Sequence, residues 1–143
     1  PIFVHDWDTH RFVDVNRKAC EVFGYSREEL LASSVGELSA GEAPYTETEA
    51  DQLIDKAKRD GFAQFEWRRR SRDGSLHWDD VRLKRAEIGG TRRVLAFTRE
   101  ITGRKEAEEA LRASEAMYRA IFDASVDGLA LLTPESVFVD VNA

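Results

Sequence analysis

The chain has one cysteine, Cys20, in 143 residues, which leaves no internal disulfide framework and no cysteine-rich zinc site. A lone thiol fits a reducing compartment, so the cytoplasm is the expected location. Apolar runs are short. None approaches the roughly 18 residues of a membrane helix, and residues 1–10 lack the basic-then-apolar order of a secretory signal, so neither a membrane contact nor an export address is expected. Basic side chains are outnumbered, 21 against 27 acidic, and the net charge of −6 weighs against a nucleic-acid partner, because neutralising phosphates needs clustered Lys and Arg. Proteins or small molecules are the expected partners. What is present is enough apolar material for a core: 42% hydrophobic and 10% aromatic residues with only three prolines, about one domain's worth of globular chain.

The string FVDVN occupies Phe12 to Asn16 and returns at Phe138 to Asn142, a period of 126 residues. Each copy follows a short apolar run (Ile2 to Val4; Leu129 to Leu132) and a polar turn (Asp6 to Thr9; Thr133 to Ser136), so a whole supersecondary unit repeats. The expected organisation is therefore a sensor-sized module at 1–102, a linker helix or coiled coil at 103–125, and the incomplete start of a second copy at 126–143, as in a piece of a longer tandem protein.

Local patterns give the element order. Residues 1 to 15 form a hairpin, and Asn16 caps a short helix carrying Ala19, Cys20 and Phe23 to a stop at Gly24. Ser26 and Glu29 make a capping box for a second helix, whose Leu30 and Leu31 point inward. After a connecting stretch at 33–45, Thr46 and Glu49 repeat that spacing, opening a helix with Ala50, Leu53, Ile54 and Ala57 on one face as far as Gly61. The period then changes to two: Ala63, Phe65 and Trp67 share one strand face. Asp73-Gly74 and Gly89-Gly90 are hairpin turns. Between them Leu76 to Ala86 changes phase, which predicts a bulge near Asp79 and Asp80. Arg93 to Ile101 is apolar on both faces, as a central strand would be. Three closing strands beside one hairpin and short helices predict an α+β fold, an antiparallel sheet covered on one face. Thr102 to Phe122 then carries Ala107, Ala110, Leu111, Ser114, Met117, Tyr118, Ile121 and Phe122 at three-and-four spacing among mixed charges, a seam suited to coiled-coil pairing in a homodimer.

Taken together, Val15-Asn16, Ala19, Gly24-Tyr25-Ser26 with Glu28-Glu29-Leu30, Arg72-Asp73-Gly74-Ser75 with Trp78, and Glu100-Ile101-Thr102 with Arg104-Lys105 resemble a PAS domain over residues 1–105. Residues 112–143 resemble the opening of another, with a leading helix (Ser114 to Ser125), Asp127-Gly128 and a first hairpin. The resemblance implies a five-stranded antiparallel sheet enclosing a cavity, with Glu100, Ile101, Thr102 and Arg104 passing a signal into the following helix. It also implies a place beside further PAS modules and an output domain, commonly a histidine kinase or a cyclic-dinucleotide synthase. The chain departs from the family at Glu100, where Asp is usual, and at Gly103, where a better helix former is common.

Pocket candidates are Phe23, Tyr25, Leu53, Ile54, Phe65, Trp67, Trp78 and Phe97, large side chains able either to line a cavity or to fill it. Cys20 lacks the Asn-Cys-Arg setting of flavin-adduct relatives and reads as a small core thiol. His5, His10 and His77 show no metal-ligand spacing, and residues 46–60 hold no haem-ligand histidine. Arg68, Arg69, Arg70 and Arg72 read as a solvated sheet edge. No nucleophile with its base and no phosphate-cradling loop is visible, so neither catalytic residues nor a metal or cofactor is expected, with an unidentified small molecule as the open partner. The expected function is a regulatory sensor and dimerisation module of a cytoplasmic multi-PAS protein ending in a histidine kinase. The rivals are a ligand-free structural spacer, a flavin or haem redox sensor, and a module upstream of a diguanylate cyclase.

Overall fold

The computed structural model describes residues 1–124, 130–132 and 138–141. Two compact units divide the chain, Pro1–Thr102 and Gly103–Ala143. The first runs β1 (Ile2–Asp6), β2 (Phe12–Val15), α1 (Arg17–Phe23), α2 (Arg27–Ala32), a 3₁₀ turn (Gly36–Leu38), α3 (Glu47–Asp60), β3 (Phe62–Arg70), β4 (Leu76–Ile88) and β5 (Thr91–Glu100). Its five strands lie in the order β2-β1-β5-β4-β3, and every neighbouring pair is antiparallel. β5 is central, in keeping with its two-sided apolar pattern.

Helix starts follow from side-chain acceptors for orphan backbone donors. Asn16 Oδ1 accepts from Ala19 N at 3.0 Å and also from Ile2 N at 2.9 Å, so one carboxamide caps α1 and ties it to the first strand. Gly24 closes α1 at φ 81°, a left-handed conformation that costs glycine little. The Ser26–Glu29 box is reciprocal, with Ser26 Oγ accepting from Glu29 N at 3.1 Å and Glu29 Oε2 from Ser26 N at 2.8 Å. At α3 the Glu49 carboxylate accepts from Thr46 N at 3.1 Å, while the Thr46 hydroxyl turns to that same carboxylate. These helices lay Ala19, Phe23, Leu30, Ala50, Ile54 and Ala57 against Phe3, Trp67, Val81, Leu83, Val94 and Ala96 of the sheet, all at most 7% exposed.

Two expectations for the closing strands are corrected. No bulge interrupts β4: its register runs unbroken from Phe62↔Lys84 to Arg70↔Leu76 on one side and from Asp79↔Glu100 to Ile88↔Thr91 on the other. The apparent phase change arises because Asp79 occupies the inner face with Val81 and Leu83, leaving Trp78 and Leu76 on the outer one. The arginine run is likewise not all solvated. Arg69 continues the inner series 63, 65, 67 and is 2% exposed. An irregularity occurs instead in the first hairpin, between Val4 and His5.

β3 is an edge strand, and residues 39–40 lie along it: Ser39 bridges to Arg69, and Ala40 N donates to Arg68 O at 2.9 Å.

α4 (Thr102–Asp123), which lies in the second unit from Gly103 onward, is one continuous helix, with Gly103 in its first turn, where glycine's penalty fades. Leu111, Met117 and Ile121 are 61–63% exposed, and Tyr118 stacks on Phe122. β6 (Ala130–Leu132) and β7 (Phe138–Val141) pair antiparallel, with a register break between Leu131 and Leu132, where the first hairpin has its own. The expectations for Asp127-Gly128, Thr133 to Ser136 and Asn142 lie outside the described residues. No helix among the described residues is long and apolar enough to cross a membrane.

Candidate functional site

Between the inner sheet face and the helices lies a cavity with about 70 Å³ available to the centres of water-sized atoms. A single water takes roughly 15 Å³ on this measure, so the space suits a few heavy atoms. Phe3, Phe12, Phe23, Leu38, Ile54, Phe65, Trp67, Val81 and Leu83 give it an apolar wall, and His5, Ser39, Arg69, Asp79 and Thr98 its polar groups.

The sheet register explains which candidates reach it. Phe23, Ile54, Phe65 and Trp67 line the cavity. Trp78 and Phe97 do not, because they alternate with Asp79 and with Ala96 and Thr98, which do; Trp78 stacks instead under Arg68 at 5.3 Å, and Phe97 is 38% exposed. Tyr25 and Leu53 are half-buried against the core outside the wall, Tyr25 beneath the Arg72 guanidinium at 5.5 Å. Cys20 is half-buried beside the core rather than inside it.

The polar end of the cavity lies outside the sequence expectations. Arg69 Nε lies 2.8 Å from Asp79 Oδ2, with both side chains at most 4% exposed. That pair is close in distance but not aligned, since the Nε hydrogen has no hydrogen-bond acceptor. Arg69 Nη1 donates to Ser71 Oγ at 2.6 Å, Nη2 stands 3.4 Å from Glu100 Oε1, and the guanidinium lies over the Phe23 ring at 4.8 Å. Beside it Trp67 Nε1 donates to Ser39 Oγ at 2.8 Å, and Ser39 Oγ donates to Val35 O at 2.6 Å. Burial pushes the Asp79 carboxyl up, more than the Arg69 charge pulls it down.

Glu100 joins this cluster to the start of α4. Its Oε1 pairs with His77 Nδ1 at 2.6 Å and accepts from Thr102 Oγ1 at 3.1 Å as well as facing Arg69. Partial burial pushes its carboxyl up, but the His77 hydrogen bond, the Arg69 charge and Thr102 outweigh this and hold it below the ordinary value. Two further bonds fix the junction: Trp78 N donates to Thr102 Oγ1 at 2.9 Å, and Ile101 N to Trp78 O at 2.7 Å. Of the four signal-transfer candidates, the structure brings Glu100, Ile101 and Thr102 together, while Arg104 pairs along the helix with Glu108 at 3.6 Å.

His5 stands elsewhere in the wall, 3% exposed. Its Nδ1 lies 2.8 Å from the His10 carbonyl, which can only accept, so the hydrogen sits on Nδ1. The His10 ring is itself set between Asp51 (2.8 Å) and Asp55 (3.1 Å) of α3. Burial lowers the His5 pKa from its ordinary 6.5, against the opposing hydrogen bond, so the folded ring resists a proton that the unfolded chain accepts. Stability is therefore full above the ordinary value and falls as pH drops below it. Urea unfolding at about pH 7.5 and about pH 5.5 should show that loss. In His5→Gln the drop between the two pH values should shrink; an unchanged drop would assign it to other groups.

Comparison with known proteins places this geometry. A family model described as PAS domain matches residues 1–103. The methyl sulfide methyltransferase-associated sensor of Methanosarcina acetivorans is 28% identical over 120 residues, covering 84% of this chain, and the chain spans about 12% of the length of that curated relative. Among solved structures, the PAS domain of an HTR-like protein from Haloarcula marismortui is 30% identical with a TM-score of 0.55, over 70% of this chain and 79% of that one. A PAS domain from a two-component sensor histidine kinase shares the fold at 24% identity and a TM-score of 0.57, over 70% and 83%.

Proposed function

The chain belongs to the PAS domain family, the sensor modules of signalling proteins, and from that premise we propose that it is the regulatory sensor and dimerisation module of a cytoplasmic multi-PAS protein whose output is a histidine kinase. The supporting observation is the Asp79–Arg69–Glu100 cluster, which begins in the cavity wall and ends on the hydroxyl of the first residue of α4. A molecule that changes what Arg69 touches in the cavity changes what Glu100 has left to hold Thr102. The signal moves the helix start only by as much as that molecule's affinity differs between the two arrangements. PAS modules are generally non-catalytic, and this role needs no reacting group. The kinase output is carried from the family resemblance, while the relative's name, a sensor, supports the sensory part of the reading alone. The recurrence in β6 and β7 of the first hairpin's register break supports a second module beginning after α4. The exposed seam Leu111, Met117 and Ile121 supports pairing with a second copy.

Hydrogen exchange tests the relay without a ligand. Glu100→Gln keeps the side chain's length and removes its charge, so amides at 101–106 should exchange faster while those of α3 and β5 are unchanged. Equal exchange at 101–106 would disconnect the cluster from the helix.

A further inference from the structure

We propose that the cavity takes a small uncharged molecule with an apolar body and a single hydroxyl, a short-chain alcohol in chemical class, in preference to an acid or amine of the same size. This rests on the sensory reading above and specifies its ligand. Three observations carry it. The first is volume: about 70 Å³ for the centres of water-sized atoms, inside walls that are mostly apolar, with polar groups at the Arg69 end and at His5, admits a few heavy atoms and favours a hydrocarbon body. The second is a misaligned pair. Arg69 Nε stands 2.8 Å from the Asp79 carboxylate, the two residues being 2% and 3% exposed, but the N–H is not aimed at that oxygen. A poorly met buried donor is costly, and a hydroxyl answers both groups at once by accepting from Arg69 and donating its own hydrogen to Asp79.

The third is charge. One guanidinium is already faced by two carboxylates, Asp79 at 2.8 Å and Glu100 at 3.4 Å. An incoming acid would bring a third carboxylate to that cation and meet Asp79 as a like charge. An ammonium would meet the Arg69 cation at the point where Asp79 is already paired with it, the second carboxylate, Glu100, being engaged by His77 and Thr102. Either ion would also leave its hydration behind in an apolar chamber, whereas the neutral hydroxyl gives up little. His5 adds no net charge, since burial keeps its ring neutral.

Nuclear magnetic resonance titration of the 143-residue chain with 1-propanol, propionate and propylammonium tests this. Propanol should give saturable amide shifts at Phe65, Trp67, Val81 and Leu83, with both ions at least about tenfold weaker, a 1.4 kcal/mol difference. Asp79→Asn, which removes one of the two carboxylates, should narrow the gap between propionate and propanol. Either ion binding within about threefold of propanol would overturn the ligand class and leave the sensory reading standing. No saturable shift from any of the three overturns the proposal, while the relay is judged separately by exchange at 101–106.

Discussion

Asp79→Ala should lower the unfolding free energy by about 3–5 kcal/mol, because it leaves the Arg69 guanidinium buried with its nearest counter-charge gone. In a domain of this size that is a fall in melting temperature of more than about 10 °C. Glu100 compensates poorly: it is 3.4 Å away and 44% exposed, and is engaged by His77 and Thr102. Replacing both partners together, Arg69→Met with Asp79→Leu, should recover most of the loss. An ion pair removed whole takes its desolvation cost with it. The direction of the Asp79 pKa agrees. A carboxyl raised by burial contributes stability fully below its ordinary value and loses it as pH rises through the shifted one, so at neutral pH the charged form is held at a cost. Thermal and urea melts of the single and double variants decide the matter, and a loss below about 1 kcal/mol in Asp79→Ala would mean that Arg69 finds water or Glu100 sufficient.

The second large effect concerns the proposed pairing through α4. Ala107, Leu111, Ser114, Tyr118 and Ile121 follow each other at alternating steps of four and three, the spacing of a coiled-coil seam, and Leu111 and Ile121 are more than 60% exposed in one chain. Burying Leu111 and Ile121, with Met117 at the margin of the seam, from two copies gains on the order of 10 kcal/mol gross. Association costs a similar amount, so α4 alone supports a weak, concentration-dependent dimer. The double variant Leu111→Glu with Ile121→Glu should therefore be monomeric at every concentration in light scattering, with the unfolding of Pro1–Thr102 unchanged, since neither residue belongs to that unit. A dimer that survives both substitutions would place the interface outside this helix.

Capping and turn chemistry is legible in the sequence because it is local. Asn16, Ser26 with Glu29, Gly24, Gly61 and Asp73-Gly74 each act within a few residues of themselves, and all fall where expected. The polar end of the cavity is not legible in that way, although a signal exists. Arg69 is in phase with Ala63, Phe65 and Trp67, and Asp79 with Val81 and Leu83. Each looks out of place alone, one resembling surface and the other a cause of bulging. Only the pairing of β3 with β4 makes them one neutralised pair. Trp78 and Phe97 mislead for a related reason: size recommends them as pocket residues, while strand alternation sends them to the other face. Glu100 stands out by resemblance, but its reach to Arg69 depends on a strand 31 positions back in the chain.

The strip at residues 39–40 has two duties. Ser39 belongs to the cavity wall, and together with Ala40 it occupies hydrogen-bonding groups of β3, the last strand of the sheet. Any visitor that gained access by lifting this strip would also uncover a bare β margin, the kind of surface onto which a foreign strand adds. Part of the chamber wall and the cover of the sheet margin are thus made of the same few atoms. A looser hold on this strip would come with a stickier protein.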